Sequence, residues 1–158
     1  MPAPLVLPLS IASYALLSSY CLCGGVLEHA AVFRGWLHVH EPRQLKALQA
    51  TSGYGVLYTY VVPKTVLTIF NAYLAMRPPV DLGGSESRYT LGLWFGLGVL
   101  VVSWTSSFLV QIPLQLRIRE TGDQAFVRRL ERTTWVRTLA IVLHGASVLW
   151  MLKGGDGL

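Results

Sequence analysis

Apolar residues along the chain gather into four long runs, at about residues 8–33, 53–76, 89–116 and 134–152. Each is close to or longer than the ~20 residues that carry an α-helix across hydrocarbon. Short polar stretches separate them. The pattern predicts an all-α fold: a single domain of four transmembrane helices packed as an antiparallel bundle.

The polar residues inside the runs recur at helical spacing. Ser10, Tyr14, Ser18, Cys21, Gly25 and Glu28 fall three or four apart on the first run. Tyr60, Lys64, Thr68 and Asn71 do so on the second, Ser103, Ser107 and Gln111 on the third, and Arg137, Ala140, His144 and Ser147 on the fourth. Each helix therefore carries one small or polar seam and an apolar remainder. In lipid such seams turn inward, because an unpartnered polar group in hydrocarbon costs several kcal/mol. Gly92 and Gly96, four apart on the third run, permit close approach of a neighbouring helix.

Composition sharpens this picture. Hydrophobic residues make up 53% of the 158 residues and charged residues only 13%, about half the charged share of soluble domains. The net charge of +5 sits between the apolar runs, where it sets topology, so nucleic acid is not the expected partner. Arg34, Arg43 and Lys46 lie in the first connection, and Arg117, Arg119, Arg128, Arg129 and Arg132 in the third. Positive loops stay in the cytoplasm. The expectation is an inner (cytoplasmic) membrane protein with both termini on the non-cytoplasmic side. The opening MPAPLVLPLS has no Lys or Arg, so the first run reads as a retained span rather than a signal peptide. Cys21 and Cys23, two apart on one helix, point to different sides and are poorly placed for a mutual disulfide. In the third connection Thr121-Gly122-Asp123 reads as a turn and cap, followed by a short surface helix over 124–132.

Charged groups within a membrane each need a reason. Glu28 and Arg137 fall near the cytoplasmic ends of their helices, with Gln111 at a similar depth. An ion pair braced by Gln111 follows, a structural polar layer of Glu28, Gln111 and Arg137, since either charge buried alone costs several kcal/mol. Glu28, Lys64 and Arg137 are also the candidates for catalysis or proton handling. Lys64, nearer the midplane, follows Pro63, which frees a backbone carbonyl, and its stem is expected to snorkel toward water. His144, near the middle of the fourth helix, is the candidate cofactor-binding residue, able to ligate a haem or pigment or bind a quinone oxygen. His29, His38 and His40 cluster around the first connection as candidate metal ligands, without a recognised spacing.

The stretch from Ser103 to Thr138, with Trp104, Gln111-x-Pro113, Gly122-Asp123 and Trp135-x-Arg137-Thr138, resembles the C-terminal half of small bacterial integral membrane proteins of the anthrone-oxygenase-like group. That resemblance implies a hydrophobic aromatic substrate. It also sets two departures: Gln115 stands where similar proteins have His, and Thr134 where they have Asn. If those residues serve a reaction, this chain has lost them. The leading expectation is therefore a non-catalytic accessory or assembly subunit, packed against a larger membrane protein or copies of itself. The alternative is a membrane oxidoreductase acting on a hydrophobic aromatic or quinone-like substrate. No cofactor is assigned by the sequence.

Overall fold

Apolar stripes at helical spacing, with few breakers inside them, leave the chain little choice but helix. A computed structural model describes residues 9–77 and 86–153, and among these there is no strand. Four long helical rods result. We label them α1 (Leu9–Trp36), α2 (residues 42–76), α3 (residues 86–121) and α4 (Gln124–Lys153). Three of them, α1, α3 and α4, are long and apolar enough to cross a membrane.

Three rods are interrupted by a π-helical turn: Glu28–Phe33 in α1, Leu57–Val61 in α2 and Ser107–Gln111 in α3. Two of the three have a proline as their cause. In an uninterrupted α-helix the rings of Pro63 and Pro113 would meet the carbonyls four residues back, at Thr59 and Leu109. Widening the preceding turn removes that clash while the rod continues. No proline lies in the α1 turn, and nothing else in its sequence accounts for it.

Two apolar cores form, one at each end of the rods. The larger joins Tyr14 and Cys21 of α1, Leu67 and Leu74 of α2, Leu93 and Leu100 of α3, and Ile141 and Val148 of α4. The smaller joins Phe33 and Trp36 of α1, Leu45 of α2, Leu114 and Ile118 of α3, and Val127 and Leu130 of α4. Ser18, Asn71 and His144 interrupt the larger core, and Glu28, Lys64 and Arg137 lie between the two cores. α3 and α4 approach closely where Gly92 faces Met151 and Gly96 faces His144. A Cβ at Gly92 would collide with the Met151 side chain.

The rods run longer than the apolar runs that seed them. Residues 42–52, expected as loop, are the start of α2. Pro42 takes the first helical position, where its missing N–H is no loss, and Leu45 and Gln49, one turn apart, are both buried. The short helix expected over 124–132 is not separate. It runs unbroken into the fourth apolar run because Val127, Leu130, Thr134 and Arg137 keep one buried stripe going. The turn before it is as expected. Gly122 is left-handed at φ 68° and its N–H donates to the Ile118 carbonyl at 2.8 Å, while Asp123 Oδ1 accepts from the Ala125 N–H at 2.8 Å. Gln124 adds a clasp that the sequence did not advertise. Its side-chain amide donates to the Trp36 carbonyl at 3.0 Å and to the Val39 carbonyl, holding the α1–α2 connection to the start of α4. Pro8, the start of the first expected run, and most of the second connection, including Pro78-Pro79 and Gly83-Gly84, lie outside the described residues.

Candidate functional site

The polar seams meet between the rods. Arg137 Nη2 of α4 lies 2.7 Å from Glu28 Oε2 of α1, both side chains at 5% exposure or less. The contact is off the hydrogen-bonding axis, so both Glu28 oxygens and Arg137 Nε and Nη2 lack an aligned hydrogen bond. The π turn in α1 begins at Glu28 itself.

Two aromatic rings extend the pair into a cluster. The Arg137 guanidinium carbon sits 5.1 Å from the Tyr60 ring centroid and 5.7 Å from that of Phe33. On the same Tyr60 ring lies Lys64 Nζ, 5.5 Å from the centroid, and 4.2 Å from the Trp104 centroid. Trp104 in turn donates through Nε1 to Thr68 Oγ1 at 2.9 Å. Lys64 does not snorkel. It is 1% exposed, because the Trp104 face offers its ammonium a cation–π contact inside the bundle. Two cations and one carboxylate thus share a buried layer. The Tyr60, Ser18 and Ser103 hydroxyls have no aligned partner.

Gln111 is buried in this region, yet it does not brace the ion pair. Its hydrogen bonds run to Ser107 at 3.4 Å and Ser106 at 3.3 Å. The π turn over 107–111 brings these neighbours of its own helix within reach first. Thr134 and Gln115, singled out by the resemblance, lie outside the cluster's contacts. Thr134 donates to the Leu130 carbonyl of its own helix at 2.8 Å, and Gln115 is half-buried one turn beyond Gln111.

His144 belongs to a separate polar group in the larger core. Its Nδ1 is 3.3 Å from the Gly96 carbonyl and its Nε2 is 3.4 Å from the Tyr14 hydroxyl. A carbonyl only accepts, so Nδ1 carries the proton and Nε2 is the acceptor. Asn71, oriented as its partners require, donates to the Leu93 carbonyl at 3.0 Å and accepts from the Leu97 N–H at 3.0 Å. Its oxygen is 3.2 Å from the Tyr14 hydroxyl, which can donate to it or to His144. All four rods contribute to this group. Both nitrogens of His144 face groups of this chain.

This geometry predicts the response to substitution. His144→Leu, which removes the side-chain partner of the Gly96 carbonyl and leaves the Tyr14 hydroxyl only Asn71, should lower stability by about 1 kcal/mol, the scale of interhelical hydrogen bonds in membranes. His144→Gln keeps a donor and an acceptor and should cost less. Thermal unfolding in detergent, followed by circular dichroism, measures both. Equal losses would show that hydrogen bonding at His144 does not matter.

The candidate metal ligands do not come together. His29 is buried, with Nδ1 3.1 Å from Thr138 Oγ1 and its ring 4.7 Å from that of Trp135. His38 and His40 are exposed in the α1–α2 connection. Among the described residues, no three His, Cys, Asp or Glu side chains are placed to hold a metal ion. Cys21 and Cys23 are free thiols, one buried and one exposed.

Comparison with known proteins adds no constraint: no family model, curated protein or solved structure matches the chain.

Proposed function

We propose that the chain is a four-pass protein of the inner membrane whose buried cationic cluster receives a hydrophobic aromatic or quinone-like molecule. The four rods form an antiparallel bundle in this reading. Along α3 and α4 the contacts run in opposite directions: Arg88 and Gly92 face Trp150 and Met151 near the end of α4, and Gly96, further along α3, faces His144, earlier in α4. The 30-residue α4 is about 45 Å long, more than the ~30 Å of hydrocarbon it crosses. Its arginine-rich end, with the smaller core, then projects into the cytoplasm, and both termini lie on the other side. The α2 span, less apolar than the others, crosses with Lys64 sheltered by aromatic rings.

One observation carries the ligand reading: a surplus buried cation beside unpartnered polar atoms. Glu28 and Arg137 neutralise each other, and Lys64 is left over. In hydrocarbon neither a spare cation nor the unpaired Tyr60 hydroxyl is tolerated without compensation. A ring oxygen that is a carbonyl or a phenolate supplies an acceptor for Lys64 and Arg137. Trp104, with Lys64 over its ring and Phe108 stacked 5.4 Å away, would report such a ligand at the Lys64 ammonium. The π turn in α1, which no proline explains, agrees with this, since π bulges are frequent at functional sites. The resemblance to the anthrone-oxygenase-like group points to the same class of molecule.

A second reading, the non-catalytic accessory or assembly subunit, is favoured by the closure of the Glu28–Arg137 pair within the chain. On this reading the layer is a lock between α1 and α4, and the exposed apolar faces meet a larger membrane protein or another copy. Quenching of tryptophan emission by a short-chain quinone, with the protein in lipid nanodiscs, separates the two. The ligand reading expects saturable quenching that largely disappears in Trp104→Phe. Lys64→Met should weaken it by about tenfold, or ~1.4 kcal/mol. Quenching that never saturates and is the same in both variants would remove the ligand reading. A stoichiometric larger protein retained in mild detergent would then support the subunit.

A further inference from the structure

A groove of about 510 Å³ runs along the outside of the bundle between α3 and α4. Its walls are Val101, Val102, Leu109 and Val110 from α3 and Val136 from α4, with Arg132 and Thr133 at one end. From Val101 to Val110 it follows about 13 Å of helix. Beyond Leu109 and Val110, which line both, a second hollow of about 280 Å³ adds Arg117, Phe126 and Arg129. The trough is thus apolar at membrane depth and cationic at its cytoplasmic end.

The charges at that end are available. Arg129 and Arg132 are exposed and lie three residues apart on α4. Among the described residues, no carboxylate pairs with either. The nearby acids are otherwise engaged: Glu131 lies 3.9 Å from Arg34, and Glu120 3.9 Å from Arg117. A helix from a partner protein would match the apolar walls and leave these arginines without an acceptor. A molecule with an aliphatic tail and an anionic head satisfies both ends.

We propose that this trough is a binding site for an anionic phospholipid of the cytoplasmic leaflet, its acyl chain along the valine-rich groove and its phosphate on Arg132 and Arg129. The site rests on the membrane reading and orientation above. It does not depend on the buried cluster. The arginine rim sits where the extra length of α4 places the headgroup boundary. Each basic residue near an anionic leaflet contributes about 1 kcal/mol, or roughly five-fold in affinity. Arg132 on the groove and Arg129 on the hollow beyond it together give the headgroup two such contacts.

The test uses the full chain in nanodiscs of equimolar phosphatidylglycerol and phosphatidylcholine, with retained lipid counted by native mass spectrometry. The wild-type chain should hold phosphatidylglycerol in preference to phosphatidylcholine. Arg129→Gln with Arg132→Gln should reduce that preference at least about five-fold. Val102→Trp, which fills the groove, should lower retention of both lipids. Arg43→Gln, an exposed arginine on α2, should change nothing. An unchanged preference in the double variant, unchanged retention in Val102→Trp, or an equal loss in Arg43→Gln would overturn the site. A chain that inserts but shows no preference sinks this inference alone. A chain that fails to insert sinks the membrane reading with it.

Discussion

Replacing one member of the buried ion pair, by Glu28→Gln or Arg137→Leu, should destabilise the bundle by about 3–5 kcal/mol. The double substitution should cost less than the sum of the two. The reason is the environment of the pair. Both side chains are almost fully buried and 2.7 Å apart, so each single change leaves an uncompensated charge among Phe33, Tyr60 and the α1 π turn. Removing both takes away the attraction and the desolvation penalty together. Arg137→Leu should be the milder single change of the two, because Lys64 shares the Tyr60 ring with Arg137 and remains as a cation in the layer. Unfolding midpoints of the four proteins in detergent supply the cycle. Strictly additive losses would mean that the pair does not interact in the folded chain.

Gly122→Ala should be the most damaging single-methyl change in the turn between α3 and α4, at about 2–4 kcal/mol. Two penalties add there. The left-handed backbone, φ 68°, disfavours any Cβ by about 1 kcal/mol. The new Cβ would also lie 2.6 Å from the Pro42 carbonyl oxygen and 2.9 Å from the Pro42 Cα. These are backbone atoms at the start of α2, so relief requires moving a helix. Gly122→Asn separates the two effects, because Asn accepts left-handed geometry yet still carries a Cβ. It should stay strongly destabilised. Recovery to wild-type stability in Gly122→Asn would show that the turn's dihedral angle matters and the approach to Pro42 does not.

Much of the fold was legible in the sequence, for a physical reason. Long apolar runs with a three-to-four-residue polar rhythm permit only inward-facing seams, and the residues of those seams are mostly buried. The helix ends were harder to read. Hydropathy marks where lipid begins, not where hydrogen bonding stops, so residues 42–52 looked like loop although they are helix, and residues 124–132 looked like a separate short helix although they run on into α4. At the cluster, the residue types Glu28, Lys64 and Arg137 stood out because charge is rare in such runs. Their aromatic partners did not. Trp104 and Phe33 resemble any other apolar residue until the fold sets them against a cation. Gln111 misled in the opposite way. Its depth suited the ion pair, but a π turn, invisible to a 3.6-residue count, gave it nearer partners. Gln124 carried no signal, since a surface glutamine and a carbonyl clasp look alike in one dimension.

The order of the three buried charges along the chain bears on how the protein is made. In a chain threaded into a membrane during synthesis, Glu28 arrives first, Lys64 with the second span, and Arg137 only with the fourth. Roughly 100 residues separate the carboxylate from its final partner, a delay of ~5–20 s at ordinary elongation rates. Through that interval the nascent two-helix intermediate holds one acid and one base, and Lys64 is the first intramembrane cation able to accompany Glu28. On the membrane reading, Arg137 reaches Glu28 only with the last helix, so Lys64 is the one of the two buried cations already in place beforehand.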